Sequence, residues 1–276
     1  MPGHPPGHYY SPIVDPEAIR DRFNIDRGRS IETLPALNVS AAELQERFQQ
    51  VAPFIGKHKF PEHKTDGLRY YYDNGFFPLG DAVMLSAIIA HNKPAKIIEI
   101  GSGFSTAAML DAIDRDGLDT RVMCVEPYPA RLRENLTEDD AKKVTIIESP
   151  VEATDPALYS TLEAGDILFI DSTHVLKTGS DVCFELFEIL PVLKPGVLVH
   201  FHDIHYPFEY TDSWVFEFRR SWNEIYAVRA FLMYNDRFKI VFFNNYFGTH
   251  HRDQMAEAYG EPVPQTGGGL WLEVQA

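Results

Sequence analysis

The chain has 276 residues, 45% of them apolar, with a formal net charge of −15. That is enough for one large α/β domain and an appendage. The acidic balance argues against nucleic acid as a partner, because phosphate recognition needs basic surface. No apolar run approaches a membrane span, no signal-peptide h-region opens the chain, and only Cys124 and Cys183 carry thiols. A soluble, cytoplasmic protein with two buried free thiols is expected, with no membrane partner.

Residues 1 to about 35 are rich in Pro, Gly, His and Tyr, and the prolines of Met1–Pro16 forbid a regular helix there. Tyr9, Tyr10, Ile13 and Phe23 are unusual in a solvated tail. They predict an ordered arm packed on the body or on a second copy of the chain, a route to a homo-oligomer. Ser40 reads as an N-cap, with Glu43 completing a capping box before Leu44, Phe48 and Val51. This helix is expected to end near Ala52-Pro53. An aromatic stretch, Arg69 to Pro78, then precedes a helix from about Asp81 to His91. It reads equally well as a hydrophobic plug or as a lid over a ligand, for which Tyr72 and Asn74 would supply stacking and hydrogen bonds.

From Ala95 strands and helices alternate. Ile97, Ile98 and Ile100 form a β-branched run that stops at Gly101-Ser102-Gly103, and a helical pattern starts at Ser105. Strand, glycine turn and helix begin a nucleotide-type βαβ unit, in which backbone N–H groups face a ligand. Thr106 stands where a dinucleotide fingerprint has its third glycine, and Glu99 lies two residues before Gly101. A carboxylate there repels a diphosphate and attracts a cationic amino group, which points to S-adenosylmethionine (SAM) rather than NAD. Further strands are predicted at 121–125, 144–147, 167–170 and 197–201. They end at Glu126, Glu148, Asp171 and His202-Asp203, the edge at which a parallel doubly wound sheet collects its functional groups. A helix over 213–231, a strand over 238–243 and a terminal strand over 270–274 complete the pattern, with the last two as an antiparallel pair at one sheet edge. Trp214, Phe216, Phe218 and Trp222 read as core, and His250-His251 as a solvated loop.

The segments EIGSGFST at 99–106, VEPYP at 125–129, FIDSTH at 169–174 and LKPGVLVHFHDI at 193–204 together resemble the class I SAM-dependent methyltransferases. Within that superfamily the chain resembles small-molecule enzymes with an acidic, metal-capable pocket, of the macrocin O-methyltransferase or methyltransferase 24 type. The resemblance covers about residue 80 to the C-terminus. It implies a Rossmann-like, mostly parallel seven-stranded sheet with an antiparallel C-terminal strand (residues 80–276), preceded by an arm and helical cap (1–79). It implies that SAM is held by Glu99, Gly101, Gly103, Ser105, Thr106, Glu126 and Asp171, and that Glu126 takes the ribose hydroxyls.

In relatives two adjacent acidic or amide residues after the fifth strand join the fourth-strand aspartate around magnesium. This chain keeps Asp171 and Asp203 but has His202 between them in sequence. Oxygen ligands favour Mg, and an imidazole shifts preference toward Mn, Fe or Zn. Three readings compete: a divalent-metal site of Asp171, His202 and Asp203; a metal-free site with His174 or His202 as general base; or histidines that only orient loops. Lys177 reads as a ligand for a substrate carboxylate or as a loop cap. His205 and Tyr206 join Tyr72 and Asn74 as expected contacts of a small-molecule acceptor. The expected reaction is methyl transfer to oxygen or nitrogen. A SAM enzyme of the same fold that does not transfer methyl, or an inactive nucleotide-binding protein, are the alternatives.

Overall fold

The computed structural model describes residues 3–262 and 266–276. Seven strands form one sheet in the order β3-β2-β1-β4-β5-β7-β6. They are β1 (Lys96–Ile100), β2 (Arg121–Val125), β3 (Val144–Ile147), β4 (Ile167–Ile170), β5 (Leu198–Phe201), β6 (Phe238–Phe243) and β7 (Leu270–Val274). The first five are parallel, and β7 runs antiparallel between β5 and β6. The expected fold class holds, with one refinement. The last two strands form the expected antiparallel pair at one sheet edge, and the pair's order is the detail added: β7 lies beside β5 and β6 is outermost.

The central strands read as unbroken apolar runs because both faces are covered. Every residue of β4 and β5 is buried. Strand order reverses between β1 and β4, where a doubly wound sheet opens a crevice. Ile100 pairs with both Val125 and Ile170, and Ile170 pairs with Phe201. This register puts the next residues, Gly101, Glu126, Asp171 and His202, in one row along the crevice.

The Ala41–Ile55 helix lays Leu44, Phe48, Val51 and Ile55 on the body, and one apolar core runs from Ile31 to Val274 without a break at residue 79. Its capping differs from expectation. Ser40 makes no side-chain cap; Glu32 Oε1 accepts from the Ala41 amide at 3.3 Å, and Glu43 instead pairs with Lys239. Pro53 sits inside the helix rather than ending it. The arm packs on the body: the Val14 amide donates to Ser221 Oγ at 3.3 Å, Phe23 meets Phe216 edge to face at 5.1 Å, and Arg27 donates to the carbonyls of Tyr206 (2.9 Å) and Tyr210 (3.2 Å). Tyr9 and Tyr10 remain 85% and 71% exposed.

The expected helix over 213–231 is two pieces, a wide turn at Ser213–Glu217 and a helix at Glu224–Leu232. The break is driven by the Trp222-Asn223 junction. Asn223 exchanges side-chain hydrogen bonds with the backbone of Leu176, and the His174 carbonyl accepts the amides of Asn223 and Glu224. Residues 244–259 form two helices, Asn244–His250 and Arg252–Tyr259, so His250 ends a helix instead of lying in a loop. No helix of the described residues is long and apolar enough to cross a membrane. Both cysteines are free; Cys124 is buried, but Cys183 is only half-buried.

Candidate active site

The glycine turn is shaped by contact with β4. Gly101 has φ +76°, and a Cβ there would sit 1.9 Å from the Asp171 carbonyl oxygen, so only glycine fits. Beyond it the Ser102 amide donates to Glu126 Oε2 at 3.0 Å and the Tyr128 amide to Oε1 at 2.8 Å. Both carboxylate oxygens are thus aimed by backbone, and each keeps a lone pair for the cleft.

Glu99 departs from the sequence reading. It is fully buried, and its oxygens accept from the Ser105 hydroxyl at 2.6 Å and from the Thr106 hydroxyl. Burial pushes its carboxyl up to about 7 despite those bonds. Glu99 and Thr106 therefore do not line the cleft; they brace the start of the Phe104–Arg115 helix. The expected attraction of a cationic amino group to an open Glu99 carboxylate is therefore absent, because the carboxylate faces the helix start. Gly101, Gly103, Ser105, Glu126 and Asp171 do line a recess of about 110 Å³ at the turn, together with Phe76 and Arg131. The Arg131 guanidinium lies 3.8 Å over the Phe76 ring, and the two roof the glycine turn.

Asn74 and Tyr206 also leave the expected acceptor set. Asn74 Oδ1 accepts from the amides of Phe76 and Phe77, and its NH₂ donates to the carbonyls of Tyr71 and Phe77, so every group is used in holding the loop. Tyr206 is fully buried, with its hydroxyl donated to the Arg29 carbonyl. Tyr72 lines none of the spaces that open around Asp171. His205 does face the larger cavity, edge-on to Trp214, and burial pushes its imidazole down to about 4. The aromatic loop combines both expected roles: Tyr70 and Phe77 are buried plugs, while Phe76 stays 61% exposed at the cleft. Lys177 lines none of the spaces around Asp171; its amide donates to Ser180 Oγ.

Asp171, His202 and Asp203 come together with one ligand atom each inside 4.8 Å of the others. His174 and Asp203 adopt φ of +60° and +59°, a left-handed conformation disfavoured for side-chain-bearing residues and common at functional sites. His174 Nε2 lies 3.5 Å from Asp171 and 3.4 Å from Asp203, and its Nδ1 donates to Glu224 Oε2 at 2.7 Å. Burial works against charge on His174, but Asp171 and Glu224 overcome it and hold the imidazole well above its ordinary value. Burial likewise pushes Asp171 up, and the neighbouring charges of His202 and His174 pull it below the usual carboxylate range.

Behind His202 stands His200, two residues back and so on the same face of β5. It is buried against Phe169 (ring centroids 4.1 Å apart), with its Nε2 3.4 Å from His202 Nδ1. Burial drives His200 well below its ordinary value, so it is neutral and suited to orient the His202 ring. Asp81, also buried, accepts from Asn244 (3.0 Å) and the Gly268 amide (3.2 Å), and burial pushes it up to about 6.

Two larger spaces meet at Asp171 beside the recess over the glycine turn. A cavity of about 900 Å³ extends past His174, His202, Asp203 and His205 to Trp214 and Trp222. A cleft of about 620 Å³ extends past Gly101, Glu126 and Val151. Trp214, Phe218 and Trp222 wall the cavity rather than filling the core. They escaped the sequence reading because the helix expected there breaks between Glu217 and Glu224. His200, Asp81, Arg131 and Arg220 were also missed. Only the period-two spacing of His200 and His202 gave a usable signal.

A family model described as a methyltransferase domain matches residues 98–204. An uncharacterized protein of Archaeoglobus fulgidus is 31% identical over 164 residues, which span 58% of this chain and 73% of that one. The chain belongs to the methyltransferase family. It is a SAM-dependent methyltransferase of class I, the matched segment spanning the glycine turn, Glu126, Asp171 and Asp203. Solved structures similar to this methyltransferase include a putative O-methyltransferase from Klebsiella pneumoniae (18% identity, 87% of this chain and 93% of that one, TM-score 0.44). A second is the S-adenosylhomocysteine-bound PaMTH1 of Podospora anserina (14%, 96% and 98%, TM-score 0.47). A third is TomG of Streptomyces achromogenes in complex with SAM (13%, 93% and 98%, TM-score 0.47). At these identities the likenesses carry no statement about this methyltransferase's acceptor.

Proposed function

We propose that this methyltransferase moves the SAM methyl group to an oxygen or nitrogen of a small molecule held in the larger cavity. The observation that carries the reading is Asp171, which lines both the cleft and the cavity at the end of β4. SAM lies along the cleft with its ribose on Glu126 and its sulfonium at Asp171. The acceptor enters past the tryptophans and presents its nucleophile for in-line displacement, so positioning does most of the work. S-adenosylhomocysteine is the product.

Asp171, His202 and Asp203 fit a divalent cation: two carboxylates and one imidazole whose tautomer is set by neutral His200. The mixed donor set suits Mn, Fe or Zn beside Mg. Such an ion, when bound, lowers the pKa of an acceptor hydroxyl. Without it, His174 supplies the compensating positive charge between Asp171 and Asp203. The Glu224–His174 pair supports a second reading, a metal-free site with His174 as base. The raised His174 pKa opposes it, since an imidazolium cannot accept a proton. A cytoplasmic setting, and association of two copies through the exposed Tyr9 and Tyr10 of a 1–79 cap, complete the proposal.

The test is incubation with methyl-labelled SAM and candidate acceptors, with product analysis. S-adenosylhomocysteine and a labelled acceptor are expected; methylthioadenosine would overturn methyl transfer. Full activity in excess chelator, with no metal in dialysed protein, would remove the cation.

A further inference from the structure

Arg220 stands in a setting that the donor chemistry does not explain. Its guanidinium carbon lies 4.4 Å from the Trp214 ring centroid, 4.2 Å from Trp222 and 5.5 Å from Phe218. The two indoles meet edge to face at 5.3 Å, and the Arg220 amide donates to the Trp214 carbonyl at 2.9 Å. Stacking on aromatic faces fixes the plane of a guanidinium but satisfies none of its in-plane N–H donors. Among the described residues no carboxylate pairs with Arg220, although the chain carries a net charge of −15 and Arg69 alone takes three, Asp111, Asp114 and Asp140. Arg220 lines the larger cavity, and so does Arg252, for which the described residues likewise supply no carboxylate.

Its place relative to the reacting end follows from contacts. The Trp222 ring is 4.4 Å from His174, and His174 Nε2 touches Asp171 and Asp203. One indole and one imidazole thus separate the arginine from the acidic cluster. The cavity is acidic at its inner end, where methyl transfer is placed, and cationic along the tryptophan wall.

We infer that the acceptor carries an anionic group, a carboxylate or a phosphate, and that Arg220 binds it while the nucleophile points inward to Asp171 and Asp203. This rests on the methyl-transfer reading above. A charge-assisted, two-pronged contact of this kind is expected to strengthen binding about ten- to a hundredfold over a neutral analogue.

Calorimetry on the full chain saturated with S-adenosylhomocysteine tests it, with 4-hydroxybenzoate, phenyl phosphate and neutral 4-hydroxybenzamide as probes. The wild type should bind at least one anion about tenfold or more tightly than the amide. Whichever anion binds better identifies the group as carboxylate or phosphate. Arg220→Gln and Arg220→Ala should both lose the preference, Arg220→Lys should keep part of it, and all should bind S-adenosylhomocysteine as the wild type does. Equal binding of the three probes, binding of none of them, or a preference that survives Arg220→Gln overturns the inference. Failure of the wild type to bind S-adenosylhomocysteine would instead strike the methyl-transfer reading.

Discussion

The two sides of Asp171 are built by different means. The donor cleft is made mostly of backbone: a glycine turn with no room for a methyl group, two amides that aim Glu126, and a buried Glu99 that braces the next helix. The larger cavity, where the acceptor is proposed to bind, is made of side chains drawn from several separate stretches, including His174, Asp203, Trp214, Arg220 and Arg252. A ligand common to a whole family can be held by backbone, which changes little with sequence. A variable ligand needs side chains.

The largest test of this contrast is Gly101→Ala. Its new Cβ would drive into the Asp171 carbonyl at a φ that alanine rarely adopts, costing more than about 3 kcal/mol by strain and overpacking. A much lower melting temperature and lost SAM binding are expected. Gly103→Ala meets only the Arg131 side chain, at 3.4 Å, and should be mild. If the two variants melt alike, the turn is not tight.

Glu99→Gln comes next and is read as a pH effect. The folded carboxyl sits at about 7 against an ordinary 4.5, because burial disfavours the charge. Its contribution to stability is complete below about 4.5 and is lost as pH rises through 7. Between those values the wild type should lose roughly 3 kcal/mol more than the always-neutral glutamine variant. Parallel denaturation curves for the two proteins across pH 4.5 to 7.5 would show that the carboxyl is not held protonated.

Asp203→Ala addresses the acceptor side alone. Methyl transfer should fall by about a hundredfold or more and metal content should drop, while SAM affinity changes little. A matching loss of SAM affinity would erase the division between the two sides. The smallest effect belongs to Glu126→Ala: SAM binding weakened about tenfold or somewhat more, with the melting temperature unchanged. Unaltered affinity in calorimetry would take the ribose away from Glu126.

The same contrast explains what could be read from the sequence. β1 to β5 were legible because buried strands are β-branched runs, and the residues just past them were legible because parallel register aligns strand ends. The acidic and histidine cluster was found that way. Trp214, Trp222 and Arg220 were not, because a helical spacing over 213–231 was assumed where Asn223 clasps Leu176 and breaks the helix. Asn74 and Tyr206 were misassigned for a related reason. A polar side chain beside a pocket looks available until its partners, the loop amides and the Arg29 carbonyl, are known. Glu99 belongs to the same class, with Ser105 and Thr106 consuming its oxygens six and seven residues later.

The clasp between Arg27 and the carbonyls of Tyr206 and Tyr210 has a consequence for how such an enzyme changes over time. The segment that leads into the tryptophan wall packs on Phe243 of β6 and is clasped from outside by the arm. Substitutions or length changes before residue 35 can therefore re-angle that wall without disturbing the glycine turn. If the acceptor sits against that wall as proposed, changes in the arm would alter its fit and leave the donor cleft as it is.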